Sequence, residues 1–155
     1  MTLFMHMLIS NFLKMPSILR FLTGMSLIYI FFVFMSIVPG TINIHGRIVT
    51  TVEWWSNGSG YALVLASLPL ITSGFLLLMQ SRYSRPIYIV GWVVVDSAMV
   101  RIAVINGAPL SKEEASIYGI LCVLFIGIFA IYLYFSKAVK EYLSDVPSRR
   151  QSNNL

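Results

Sequence analysis

The chain has 155 residues, 57% of them hydrophobic and only 11% charged, with a formal net charge of +5. Soluble domains carry about 25% charged residues, so this chain cannot cover its apolar residues with polar ones in water, which excludes an ordinary soluble domain and points to a bilayer. The basic excess does not call for nucleic acid, because Lys and Arg in such a protein mark topology and meet anionic lipid.

The N-terminal stretch TLFMHMLISNFLKM is apolar but too short to cross a membrane. Residues Leu3 to Leu13 read either as an amphipathic or interfacial helix lying against the membrane and ending near Pro16, or as a frayed lead-in to the first span. His6 within it reads as an incidental interfacial residue. A first span follows over about residues 21–38, FLTGMSLIYIFFVFMSIV, closed by Pro39 and Gly40.

The next connection, PGTINIHGRIVTTVEWWSNGSG, is longer than the roughly 12–15 residues beyond which loops carry structure or function. Ile42 and Ile44 alternate with Asn43 and His45, a half-buried strand pattern, and His45-Gly46 offers a tight turn into Arg47-Ile48-Val49. Thr50 stands three residues before Glu53, the spacing of a capping box, so a short helix is expected to carry Val52, Trp54 and Trp55. Paired tryptophans favour the headgroup zone. Arg47, Glu53, Trp54 and Trp55 are therefore the candidate anchor or contact residues of this loop. Asn57 opens an NGS glycosylation sequon.

A second span covers about residues 61–80, with Pro69 and Gly74 inside it. Proline is tolerated in a lipid-embedded helix where neighbours satisfy the freed backbone. The short SRYSRPIY loop then leads to a third span over about 87–105. Asn106-Gly107 reads as a turn, and Ser111 with Glu114 forms a second capping box that starts a fourth span over about 117–135. Cys122 lies in that span. As the chain's one cysteine it excludes an internal disulfide and a multi-thiolate metal site. Residues 144–155 read as a polar cytoplasmic tail, its VPSRRQSNNL stretch disordered, to a single membrane domain of residues 1–143.

Orientation follows from charge. Lys14, Arg20, Arg82, Arg85, Lys137, Lys140, Arg149 and Arg150 fall on one side of the alternating spans, with Arg47 and Lys112 on the other. The positive-inside rule places both termini in the cytoplasm and the long loop outside. Arg82, Arg85, Lys137 and Lys140 become candidate lipid headgroup contacts. The expected fold is an all-α membrane protein, a bundle of four transmembrane helices in the bacterial cytoplasmic membrane with a hairpin and short helix outside.

Span three carries the chemistry that apolar runs avoid. Asp96, Ser97 and Arg101 interrupt VVVDSAMVRIAV. Each charge costs about 2.5–3.5 kcal/mol near a span's centre. The ten Val and Ile between Ile87 and Ile105 each return about 0.3–0.6 kcal/mol, so this span needs neighbours to be stable. At 1.5 Å per residue, Asp96 lies near the midplane and Arg101 roughly 7.5 Å further out. The two are separated by about 140° around the helix, which is poor for pairing. The three residues are expected to form a polar sector facing protein or water. Candidate neighbours are Thr23, Ser26, Tyr29, Ser67, Thr72, Ser73 and Tyr118. Two roles compete: polar glue that locks the bundle or an oligomer, which the small size of the chain favours, and a proton- or cation-linked site.

Ala62, Ala66, Gly91, Gly119 and Gly127 permit close helix approach but form no dimerisation pattern of weight. Nucleophile, base and phosphate-binding motifs are absent, and no cofactor or metal site is expected, because His6 and His45 fall on opposite sides of the membrane. The functional expectation is a small non-enzymatic adaptor, sensor or immunity-type protein. It would act through another membrane protein or as a homo-oligomer. The alternative is a small oligomeric transporter or channel using Asp96 and Arg101 along a polar path.

Overall fold

The four apolar runs each become a helix long and apolar enough to cross a membrane. The computed structural model describes residues 2–44 and 46–152, and within them a short α1 (Thr2–Lys14) precedes the first long helix, α2 (Ser17–Ile37). A hairpin of β1 (Thr41–Ile44) and β2 (Arg47–Thr50) and the short α3 (Thr51–Ser56) follow. Then come α4 (Ser59–Leu78), α5 (Ser84–Ile105), α6 (Lys112–Phe135) and α7 (Lys137–Ser152).

All four long helices begin before the runs marked by hydropathy, because their starts are set by local chemistry. Pro16 precedes α2, and Gly58, at φ 86°, turns the chain into α4. Ser111 accepts from Glu114 N–H while the Glu114 carboxylate accepts from Ser111 N–H, the complete reciprocal box that the sequence predicts for α6. The Thr50 box forms only half. Its hydroxyl caps Glu53 N–H, but the Glu53 carboxylate is drawn to Arg47.

Helix α4 packs along both α2 and α5, whereas α6 rests chiefly on α5. Gly91 brings α5 onto α4 so closely that a β-carbon there would lie 2.9 Å from Leu70 Cα and N. Gly74 similarly faces Ser26 and Leu27 of α2. The main core joins Leu19 and Leu22 of α2, Leu70 and Leu77 of α4, Tyr88, Trp92 and Val95 of α5, and Leu133 of α6. Thr23, Ser26, Ser67 and Ser73 are buried here, but their hydroxyls donate to carbonyls of their own helices. Each thereby satisfies its hydroxyl within its own helix.

At the end of the bundle opposite the hairpin, α1 and α7 fold against the end of α4. Asn11 is buried and donates to Leu78 O at 2.9 Å. The Tyr142 hydroxyl donates to Leu77 O at 3.2 Å and Asn11 O at 3.4 Å. Helix α1 is thus held by protein contacts as well as by its apolar face. Helix α7 runs from Lys137 to Ser152, across much of the stretch the sequence reads as a polar tail, and its Val139 and Tyr142 are buried. Gln80 ends α4 at φ 55°, the left-handed position usually given to glycine. The accompanying Ser81 N–H to Leu76 O and Gln80 N–H to Leu77 O bonds close the helix end.

Candidate functional site

The hairpin is seated by a polar clamp. β1 and β2 pair antiparallel with Ile42 opposite Val49 and Ile44 opposite Arg47. The expected His45 turn residue lies outside the described residues. Arg47 reaches from β2 to donate to Asn106 O at 2.6 Å while its other nitrogen pairs with Glu53. Asn106, fully buried at the end of α5, donates to Ser59 Oγ at 2.8 Å and to Ile102 O at 2.8 Å. Its Oδ1 accepts from Asn57 Nδ2 at 2.8 Å. The sequon asparagine therefore spends its side chain inside this network. One buried residue thus ties these elements together, its main-chain carbonyl holding Arg47 of the hairpin and its side-chain amide holding the start of α4.

The tryptophans turn inward. Trp54 is buried with Val49, Leu63 and Ile102, and its ring N–H has no partner among the described residues. Trp55 lies over Gly60 and donates to Ser36 O at 2.9 Å. Arg47, Glu53, Trp54 and Trp55 are thus brought together as the seat of the hairpin, two of them lending packing and two lending charge.

Beneath the hairpin lies a cleft of about 540 Å³ bounded by α2, α5 and α6 and lined by Tyr29, Ile42, Trp54, Asp96, Met99 and Tyr118, among others. A second hollow of about 550 Å³ runs on toward Phe32, Met35 and Ser36 and shares Tyr29, Ile42, Trp54 and Met99 with the first. The open side exists because α6 leans on α5 and leaves the flank of α2 uncovered. Toward the α1–α7 end the space closes on aromatic rings: Trp92 meets Tyr29 at 5.9 Å and Phe125 at 5.3 Å, both edge to face.

Asp96 is half-buried at the wall of this cleft, and Tyr118 OH donates to its Oδ1 at 3.3 Å. The polar sector expected around it divides. Ser97 is exposed and donates to Val93 O of its own helix at 2.7 Å. Arg101 is exposed on the far side of α5 and pairs with nothing among the described residues. Helix geometry causes the division, since the cleft-facing and outward faces of α5 lie about 140° apart at this spacing. Of the neighbours proposed from sequence, Tyr118 reaches Asp96 and Tyr29 shares its cleft. Met99 and Ile42 are not among those neighbours, although Met99 stands three residues after Asp96, the spacing that stacks side chains on one helix face.

No protein-family model, curated protein or solved structure matches the chain.

The basic residues at the α1–α7 end stay near the surface. Arg82 lies over the Tyr83 ring at 5.1 Å and Arg85 over Tyr134 at 5.9 Å. Lys137 approaches Glu141 at 3.8 Å, and Lys140 is exposed. At the same end Tyr142 has its pKa pushed up from 10.0 to about 12, chiefly by burial, with a hydrogen bond from Gln80 working the other way. No group of three or more His, Cys, Asp or Glu side chains able to hold a metal occurs among the described residues.

Proposed function

We propose that the protein is a small non-enzymatic component of the bacterial cytoplasmic membrane, with both termini inside and the hairpin outside. It works as an adaptor, sensor or immunity-type subunit through lateral contact with another membrane protein or a second copy of itself. The observation that carries this reading is the state of α6. Only 6% of its most apolar stretch is buried, against 22%, 44% and 33% for α2, α4 and α5. Helices in lipid associate by van der Waals packing and polar contacts rather than by escape from water, so a span left this bare within its own bundle has a broad face to give to a neighbour. Ser97 and Arg101 of α5 also point outward, where an intramembrane polar group needs protein, water or the interface.

The orientation rests on the one-sided distribution of Lys and Arg. A transporting role gains less support. Asp96 and Arg101 sit on different sides of α5, and the rings of Tyr29, Trp92 and Phe125 fill the space on the α1–α7 side of Asp96. The test is a photocrosslinking amino acid placed in α6 in native membranes, at Ile120, Leu124 and Ile128 in turn, with Leu70 in the core of α4 as the control position. Discrete protein adducts are expected from the exposed α6 positions and not from Leu70. Lipid adducts alone at every α6 position would overturn the reading.

A further inference from the structure

We propose that the cleft beneath the hairpin binds a hydrophobic cation, an ammonium or other onium centre carried on an apolar body, with Asp96 as its counter-ion. This goes beyond lateral contact through α6 and rests on different residues. Asp96 lies within an apolar helix, yet no basic side chain pairs with it among the described residues, and the groups that hydrogen-bond to it, the Tyr118 hydroxyl and the Cys122 thiol, are neutral. The basic residues that might neutralise it are committed or turned away. Arg47 is held by Glu53 and Asn106, and Arg101 lies on the outward face of α5. A half-buried carboxylate within an apolar span that meets only neutral donors is costly, and a bound cation lowers that cost.

The surroundings select the kind of cation. Tyr29, Trp54 and Tyr118 line the same cleft as Asp96, and aromatic faces attract cations, more strongly where water is excluded. Met99, Ile42 and Ala103 supply the apolar remainder. A hard metal ion is poorly served, because calcium takes about six to eight oxygen ligands and magnesium about six, and Asp96 is the one carboxylate on this wall. A volume of about 540 Å³ falls within the range of roughly 300–1,000 Å³ that holds small organic molecules. The shared chemistry fits either a free organic cation or the ammonium headgroup of a membrane lipid.

The full chain in nanodiscs of phosphatidylglycerol would be titrated with tetraphenylphosphonium, read by calorimetry and tryptophan fluorescence. Saturable binding is expected, weakened at least tenfold in Asp96→Asn, retained within about threefold in Asp96→Glu, and abolished in Met99→Trp, which fills the cleft. Neutral triphenylphosphine oxide should not distinguish the wild type from Asp96→Asn. Adding phosphatidylethanolamine separates the sources: competition that weakens tetraphenylphosphonium binding to the wild type identifies a lipid ammonium, and unchanged affinity identifies a free cation. Equal binding of tetraphenylphosphonium to the wild type and a folded Asp96→Asn would overturn the proposal. Should Asp96→Asn fail to fold, binding that survives unchanged in Met99→Trp overturns it instead.

Discussion

Replacing Gly91 with alanine tests how tightly α5 is fitted to α4. The added β-carbon would lie 2.9 Å from both Leu70 Cα and Leu70 N, with Leu70 Cβ at 3.1 Å. Ordinary carbon contacts lie near 3.5–4.0 Å, so the helices must part by several tenths of an ångström or more. Two of the three opposing atoms are backbone, and no rotamer change relieves them. Overpacking of this kind costs about 1–3 kcal/mol, and the rigid neighbour places Gly91→Ala toward the upper end of that range. For a chain of this size each kcal/mol lowers the melting temperature by about 2–4 °C, so a drop of about 5–10 °C is expected in detergent, followed by tryptophan fluorescence. Gly119→Ala on α6 is the matched control, because a β-carbon there meets nothing within 4 Å. If Gly91→Ala melts with Gly119→Ala and the wild type, the close α4–α5 crossing is wrong.

Three further outcomes follow from the same contacts. Asn106→Ala leaves Ser59 and Asn57 without their buried partner, which costs about 1–3 kcal/mol and should raise amide exchange across residues 57–62 more than in the inner halves of α2 and α4, while Arg47 keeps the main-chain carbonyl of residue 106. Gln80→Ala keeps the left-handed backbone of φ 55° but loses the side chain, so Gln80→Gly should melt above Gln80→Ala, the difference being about 1 kcal/mol. Tyr142 has a folded-state pKa raised above its ordinary 10.0 to about 12, so its contribution is complete below pH 10 and lost as the pH rises through 12. The docking of α1 and α7 should therefore loosen across that window in the wild type and not in Tyr142→Phe, as read by protease cleavage within residues 137–144.

Much of the fold was legible because its causes are local. Runs of apolar residues mark the four long helices, alternation of Ile42 and Ile44 marks β1, and the Ser111–Glu114 spacing marks the start of α6. The site was only half legible. Asp96 announces itself by cost, and the roughly 140° that separates it from Arg101 is legible in the spacing, but which of the two faces protein depends on where α6 lies relative to α5, which no local pattern encodes. Asn106 read as a turn residue because its partners, Arg47, Asn57 and Ser59, come from distant stretches of chain. The tryptophans read as headgroup anchors because their burial depends on the hairpin folding back over α4 and α5. Helix α7 carried a signal that composition masked: Val139, Tyr142 and Leu143 stand at helical spacing beyond the last span, and all three pack into the core.

The central claim is that α6 completes its packing on another polypeptide. The most direct measurement is the mass of the particle drawn from native membranes into polymer nanodiscs without detergent, for the wild type and for Leu124→Trp. Leu124 is 57% exposed on α6, so a tryptophan there disturbs an external contact and leaves the bundle intact. The account predicts a wild-type particle holding this chain and at least one further polypeptide, a second copy included, that Leu124→Trp sheds. A particle of one chain with lipid, the same in both proteins, would contradict it.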